Sequence, residues 1–411
     1  MNILFIHQNF PGQFKNLAPA LASAGHKVVA LTLKDIPDTL WNGVIVRSYK
    51  VSRSTSTNIH PWLTDFETKV IRGEGCLNAF INLKEQNFYP DVVIAHHGWG
   101  ESLFVKDIWP KTKIGIYCEF FYHPVGADFN FDPEFAVKNV SEFCRLRLKN
   151  INNYMNFEIA DLGLSPTSWQ ASTFPDCFRS KISVIHDGID TNLLKPDISA
   201  TYKLKNNLVL TKKDEIITFV NRNLEPCRGF HIFMRSLPQI LKSRPNAKVI
   251  IVGGSNISYG AQPINSKSWK ECFFSEIQSS LSTSELNRIN FVGMLDYADF
   301  ISVLQLSTVH VYLTYPFVLS WSLLEAMSIG CCVVASDTKP LHEVIVDNET
   351  GFLVDFFNSG KLATTVLKLL DSADTRRNIG CNARNFIKSN YDLTSICLPR
   401  QLSWVNKLSS Q

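Results

Sequence analysis

Two arginines six residues apart, Arg222 and Arg228, flank a proline turn in the run Asn221-Arg222-Asn223-Leu224-Glu225-Pro226-Cys227-Arg228-Gly229-Phe230. An apolar stretch, Ile216–Val220, leads into this run and a helical pattern leaves it at Phe230. Arginine offers a rigid fork of N–H donors that matches phosphate oxygens. Loop arginines are usually just solvated, but a place between a strand end and a helix start favours phosphate binding. The turn Asn9-Phe10-Pro11-Gly12-Gln13 occupies a similar place near the amino terminus. There Gly12 lets backbone N–H groups approach a phosphate, and the following helix adds partial positive charge. The competing reading is a glycine needed for turn geometry alone. The turn is neither Gly-x-Gly-x-x-Gly nor a Walker loop, which counts against dinucleotide dehydrogenases and kinases. A third candidate, Glu325, sits in the apolar run Leu323-Leu324-Glu325-Ala326-Met327. A carboxylate there needs a partner or a cleft, and adjacent hydroxyls of a ribose or sugar would suit it.

These residues need elements to hold them. Asn2–His7 is a short apolar run. Phe14, Leu17, Ala18, Leu21 and Ala22 then recur at helical spacing, Gly25 stops the helix, and Lys27–Leu33 is apolar and β-branched. Strand, turn, helix, strand is a βαβ unit and implies a parallel sheet. Val92–Ala95, Lys113–Cys118, Leu162–Ser165 and Ile182–Ile185 extend that sheet, so a first α/β domain is expected over 1–196. Residues 197–214, polar and rich in Lys and Asn, read as a linker. A second domain over 210–391 follows, with strands at Ile216–Val220, Lys248–Val252 (closing on Gly253-Gly254), Ile289–Val292, Val309–Leu313 and Cys332–Ala335, and a helix across Ser320–Ile329. The apolar side Ile396, Leu398, Leu402, Trp404, Val405 and Leu408 predicts a terminal helix. Left in water it would forfeit about 1.5–3 kcal/mol per large side chain, so 392–411 is expected to pack back on the first domain. Open parallel sheets bind ligands at their strand carboxyl ends, so two such domains are expected to face a cleft.

Composition narrows the classes. The chain has 411 residues, of which 45% are hydrophobic and 19% charged, a globular balance long enough for two cores. A net charge of +4 is too weak to indicate nucleic-acid binding. Ten cysteines occur without any Cys-x-x-Cys, so no zinc or thioredoxin-type site is expected and a reducing cytosol fits. The start Met1-Asn2-Ile3-Leu4-Phe5-Ile6 lacks a basic region and a signal-peptide core. The apolar stretch Leu319–Ala335 carries Glu325, which makes it a poor membrane span. A soluble cytoplasmic protein is expected.

The arginine turn, the run Leu323-Leu324-Glu325-Ala326-Met327-Ser328-Ile329-Gly330-Cys331-Cys332-Val333-Val334-Ala335-Ser336 and the segment Glu343-Val344-Ile345-Val346-Asp347-Asn348-Glu349-Thr350-Gly351-Phe352-Leu353-Val354 together resemble the group 1 (family 4) retaining glycosyltransferases. The Asn9–Gln13 turn and the stretch from Ser165-Pro166-Thr167-Ser168 to Ile185-His186-Asp187-Gly188-Ile189-Asp190 fit the same family. The resemblance covers essentially the whole chain and is strongest between residues 216 and 355. It implies an α/β fold of the GT-B type: an amino-terminal acceptor-side domain and a carboxyl-terminal nucleotide-sugar domain, both Rossmann-like parallel sheets, facing a cleft.

It also implies roles. Gly12 would approach the donor diphosphate. Arg222 and Arg228 match the family's arginine and lysine that neutralise it, with arginine in place of the lysine. Glu325 matches the second glutamate of a pair eight apart and would hold the donor ribose. Phe317 stands where the first would be. Gly254 and the backbone around Leu319 and Ser320 would complete the donor site. The family's histidine near the donor sugar corresponds to Glu119 or to His123, and the sequence leaves the two open. His96 and His97 are weaker candidates. Any one of these histidines, taken singly, is more often a loop or core residue.

No Asp-x-Asp occurs, so no metal and no cofactor beyond the donor substrate are expected. The resemblance implies a hexosyl-type transferase moving sugar from a nucleotide-sugar donor to a sugar, lipid-linked or protein acceptor, in glycan, glycolipid or envelope polysaccharide synthesis. Nucleic acid is not an expected partner. Segments 52–75 and 120–150 read as acceptor-facing insertions. The basic, aromatic stretch holding Lys138, Arg145, Arg147 and Lys149 allows peripheral contact with the inner membrane face, though a solvated helix face is the favoured reading. The rival readings are a catalytically silent glycosyltransferase-like subunit, which Phe317 and Glu119 favour, and a GT-B sugar-nucleotide epimerase.

Overall fold

The structure is a computed structural model and describes residues 1–258, 260–264 and 266–411. The chain forms two compact units: Met1–Gly188 with Leu393–Gln411, and Ile189–Asp392.

The first unit is built on eight strands: β1 Asn2–Ile6, β2 Lys27–Thr32, β3 Thr39–Trp41, β4 Val44–Ser48, β5 Val92–Ala95, β6 Lys113–Tyr117, β7 Leu162–Ser165 and β8 Ile182–Val184. Their order is β3-β4-β2-β1-β5-β6-β7-β8, parallel throughout except for the short edge strand β3. Alternation along β1 shows why both faces must be covered. Leu4 and Ile6 pack with Cys76 and Phe80 of the helix Thr64–Glu85 and Phe157 of Ile151–Ile159. Ile3 and Phe5 join Leu17, Ala18 and Leu21 of the helix Leu17–Ser23 on the other face. A parallel sheet buried on both sides needs such continuous apolar strands.

That second face also receives the last helix, Leu398–Ser409, whose Trp404, Val405 and Leu408 are buried there. Its seat is a glycine. A Cβ on Gly115 of β6 would lie 2.4 Å from Trp404 Cη2 and 2.7 Å from Leu408 Cδ2, so no other residue fits beneath the indole without a shift. Pro399 occupies the first turn of this helix, where its missing N–H costs nothing. A π-helical turn, Leu393–Cys397, precedes it.

The second unit has β11 Ile216–Asn223, β12 Lys248–Gly254, β13 Ile289–Gly293, β14 Val309–Tyr312, β15 Val333–Ser336 and β16 Phe352–Val354 in the all-parallel order β13-β12-β11-β14-β15-β16. One face packs Val220, Ile250, Tyr312 and Val333 against the helices Tyr297–Leu306, Trp321–Ile329 and Ala373–Asn390. On β11 Phe219 stacks on Phe233 of the helix Phe230–Ser243, centroids 4.5 Å apart.

Two boundaries differ from the sequence reading. The first domain stops at Gly188, short of residue 196, because Ile189 and Leu194 are buried in the second unit's core. The Ile189 amide donates to the Tyr391 carbonyl at 2.8 Å, and the Arg384 guanidinium donates to the carbonyls of Thr191 and Leu194. Residues 197–214 are not a free linker. They contain a hairpin, β9 Thr201–Lys203 and β10 Val209–Thr211, with Asn207 in the left-handed region at its turn. Leu204 and Leu210 anchor it in the same core.

Candidate active site

Sheet order in the second unit brings the residues expected to hold a donor to one end of the sheet. β12, β11 and β14 are neighbours, so their carboxyl ends deliver Gly254, the arginine loop and the loop before the helix Trp321–Ile329 side by side. Asn223 pairs with Gly254 beyond a bulge, and the Leu224 amide donates to the Gly254 carbonyl at 3.0 Å. A Cβ on Gly254 would meet Asn223 Oδ1 at 2.5 Å, so a larger residue there would push the Asn223 amide aside.

Arg222 is exposed at the end of β11. Arg228 closes the short 3-10 turn Pro226–Arg228 and reaches across to the next loop. Its Nη1 donates to Thr314 Oγ1 at 3.0 Å and lies 3.5 Å from the Val318 carbonyl. Gly229 follows with φ 65°, and a Cβ there would strike Leu313 at 2.3 Å. The loop's close approach to β14 therefore requires that glycine.

Ser320 caps the helix Trp321–Ile329, accepting from the Ser322 amide, while its own N–H donates to the Tyr312 hydroxyl at 3.3 Å. Leu319 has its side chain in the core, so only its backbone can meet a ligand. Phe317, which the resemblance sets where the first glutamate is expected, is likewise buried. Glu325 is 7% exposed and accepts a 2.8 Å hydrogen bond from the Tyr297 hydroxyl. Burial, with the Glu325 charge behind it, pushes the Tyr297 phenol well up, so it stays a donor.

The first unit gathers a separate polar group at the ends of β1, β5 and β6. His7 follows β1, its Nδ1 accepting from the Asn9 amide at 2.9 Å and its Nε2 facing Gln13 Oε1 at 2.7 Å. Burial, helped by nearby His96, drops His7 to about 4, so it is neutral at pH 7 and donates from Nε2. Gly12 has φ 48° and lies against this ring; a Cβ would sit 2.3 Å from Nε2. His96 stacks on Trp99 at 4.1 Å between centroids, and its Nε2 lies 3.6 Å from Glu119 Oε2. Burial alone would raise the Glu119 carboxyl, but the facing His96, with His7 and His97 behind, holds it below the usual carboxylate range.

The two residues that sequence left open are thus set apart. Glu119 faces His96 and, with His96 and His97, lines a polar cavity. His123 instead donates to the Thr173 carbonyl and tilts against Phe121. His7 went unassigned in the sequence although it closes β1, the position where α/β sheets present ligand groups. Glu225 and Tyr297 also went unassigned. Glu225 is 1% exposed, and its carboxylate accepts from the Ser258 amide, fastening the arginine loop to the loop after β12.

Comparison with known proteins agrees with this architecture. Residues 24–194 match the family described as glycosyl transferase family 4 group, and residues 202–386 match glycosyl transferases group 1. The chain belongs to the group 1, family 4 glycosyltransferases. It is 25% identical over 227 residues to spore coat protein SA of Bacillus subtilis, covering 54% of this chain and 57% of that one. It is 26% identical over 218 residues to D-inositol 3-phosphate glycosyltransferase of Corynebacterium efficiens, covering 51% and 49%. An uncharacterized glycosyltransferase of Methanocaldococcus jannaschii is 33% identical over 107 residues, 26% of this chain and 27% of that one. The chain thus spans from about a quarter to little over half the length of these curated relatives. In fold it is similar over its whole length to sucrose-phosphate synthase from Thermosynechococcus elongatus, with TM-score 0.75 at 18% identity and full coverage of both chains. Anabaena HepE, solved with UDP-glucose, gives 0.66 at 16%, again with full coverage of both. Both units thus carry the GT-B kind of parallel sheet. No helix among the described residues is long and apolar enough to cross a membrane.

Proposed function

We propose that this protein is a retaining, metal-independent glycosyltransferase that moves a sugar from a nucleoside diphosphate sugar to a hydroxyl acceptor. The observation that carries this reading is the meeting, at neighbouring strand ends, of Arg222, the Arg228 turn and the capped amino terminus of the helix Trp321–Ile329, a helix that also carries Glu325. Cationic forks and a helix amino terminus complement a diphosphate, and a buried carboxylate complements ribose hydroxyls. That HepE was solved with UDP-glucose supports a uridine donor here.

In the proposed reaction the bond between the sugar's anomeric carbon and the diphosphate oxygen breaks, and the electron pair stays on the leaving group. Arg222 and Arg228 stabilise the charge developing there, an electrostatic contribution that needs no metal. The acceptor oxygen bonds to the anomeric carbon on the face the phosphate leaves, and its proton passes to the departing phosphate oxygen. Glu119 stays ionised beside His96, ready to accept from a sugar hydroxyl. Ten free cysteines fit a cytoplasmic setting.

The test is a thermal-shift and turnover screen against nucleoside diphosphate sugars, with the product's anomeric configuration read by NMR. Stabilisation by a donor together with retained configuration supports the reading. Binding without turnover or hydrolysis under any acceptor would point to the silent subunit, and an inverted product would refute retention.

A further inference from the structure

The cavity beside Glu119 has a cationic wall that the donor chemistry does not use. It is about 60 Å³, room for a compact group of a few heavy atoms, and belongs wholly to the first unit. Lys69, Lys149, Tyr122, Asn152, His97 and Glu119 are among its lining residues. Lys69 is only 8% exposed and holds one carboxylate, Asp65, at 2.7 Å. The Lys149 ammonium rests over the Tyr122 ring, 4.2 Å from its centroid. Among the described residues no carboxylate lies within ion-pair distance of it.

Sinking an ammonium into a protein wall without a counter-ion is unfavourable, and an aromatic face compensates only part of the loss. Burial depresses the Lys149 ammonium below its ordinary range; the Asp65 charge offsets part of this and Lys69 adds to it, so an anion arriving between the two lysines would oppose the shift. Asn152 is already committed, its Nδ2 donating to the His97 carbonyl at 2.8 Å. His97 is pushed to about 4 by burial and by nearby His96, so it is neutral and adds no charge of its own. The lining also carries Glu119, which repels an anion. A ligand must therefore be bipolar in the sense that matters here: anionic at the lysines and hydroxyl-bearing toward Glu119.

We propose that the acceptor is a hydroxylated compound carrying a phosphate group, with the phosphate seated between Lys69 and Lys149 and a hydroxyl turned toward Glu119. This deepens the transferase reading and rests on it, and it names the chemistry that selects the acceptor. A phosphomonoester suits the site better than a carboxylate, because its additional oxygens meet both ammoniums at once. A soluble polyol or sugar phosphate and a lipid phosphate present the same chemistry at the lysines.

The experiment is calorimetric titration with saturating UDP present, so that donor-side arginines do not compete for the probe. The probes are myo-inositol 1-phosphate, D-glucose 6-phosphate and glycerol 3-phosphate, each paired with its unphosphorylated form. Phosphatidylcholine vesicles with and without phosphatidate form a second arm. Tighter binding of a soluble phosphate identifies a soluble source, and binding only to phosphatidate vesicles identifies a lipid source. Either supports the proposal if Lys149→Met and Lys69→Met each weaken it about tenfold or more, the scale of a lost charge-assisted hydrogen bond. Lys149→Arg should weaken it less than Lys149→Met, since it keeps the cation although its fork differs in shape. UDP affinity, measured separately, should be unchanged in all three variants. Equal affinity for phosphorylated and neutral probes, or phosphate affinity indifferent to both methionine variants, overturns the proposal. Absence of UDP binding in the wild type would instead sink the transferase reading.

Discussion

The Tyr297 hydroxyl, at the start of one helix, and the Glu325 carboxylate, at the middle of another, are joined by a 2.8 Å hydrogen bond. The bond holds a 7%-exposed carboxylate in one orientation before any ligand arrives. Glu325→Gln should weaken donor binding by about 1.5–3 kcal/mol, the range for hydrogen bonds to a charged group, and Tyr297→Phe by about 1 kcal/mol. Isothermal titration with UDP-glucose checks both. Wild-type affinity in Glu325→Gln would remove that residue from the ribose.

Arg228 bridges its own loop to Thr314 and the Val318 carbonyl, so it is fixed before a phosphate arrives. Arg222 is exposed and free to close on the ligand. Arg228→Ala or Arg222→Ala should each cost about 3–5 kcal/mol of transition-state stabilisation. This is read as kcat/KM in variants whose circular dichroism matches wild type. Activity within twofold of wild type for both would end the assignment.

Arginines at the diphosphate make a metal unnecessary in the proposed step. Treatment with a chelator is expected to leave transfer unchanged. Loss of activity that magnesium or manganese restores would contradict it.

Acid should unfold this protein through its histidines. Burial lowers His310 to about 3 and His97 to about 4, where an unfolded chain titrates near 6.5. Below pH 6.5 the unfolded state binds the extra protons, so stability is full above that pH and falls as pH drops toward the folded values. One such histidine loses about 2 kcal/mol between pH 7 and 5. His310, buried in β14 with Nδ1 on Thr218 Oγ1, is the cleanest case. His310→Asn should flatten the fall of melting temperature between those pH values. An unchanged slope would show that this histidine does not contribute.

The fit of Trp404 over Gly115 predicts strong coupling. Trp404→Ala should cost about 3–5 kcal/mol. Gly115→Val should cost about 1–3 kcal/mol or more through overpacking. In the double variant the costs should add to less than their sum, since the valine then fills the indole's space. Strictly additive losses in urea melts would mean the two do not press on each other.

Local pattern was enough wherever one element carried the signal. The βαβ start, the arginine loop between β11 and its helix, and the helix after Ser320 all follow from apolar spacing and turn residues. The hairpin β9–β10 was misread because Lys203, Lys205, Asn206 and Asn207 dominate its composition. Its anchors, Leu204 and Leu210, are too far apart to show a period. The polar group in the first unit was harder still. His7, His96 and Glu119 come from three strands separated by long stretches of chain, and only strand order makes them neighbours. Glu225 stood in a recognised loop, but nothing in that loop reveals that its carboxylate is buried against the Ser258 amide.

The last helix belongs to a unit whose other residues were made first. During synthesis Met1–Gly188 leaves the ribosome well before Leu393–Gln411. At about 5–20 residues per second, the stretch Ile189–Asp392 adds a delay of roughly 10–40 s. Throughout that interval β6 offers the bare backbone of Gly115 and its apolar neighbours with no indole over them. A nascent chain in this state carries an open hydrophobic groove of fixed shape. It is the moment at which a holding chaperone, or a neighbouring nascent chain, competes with the protein's own final helix.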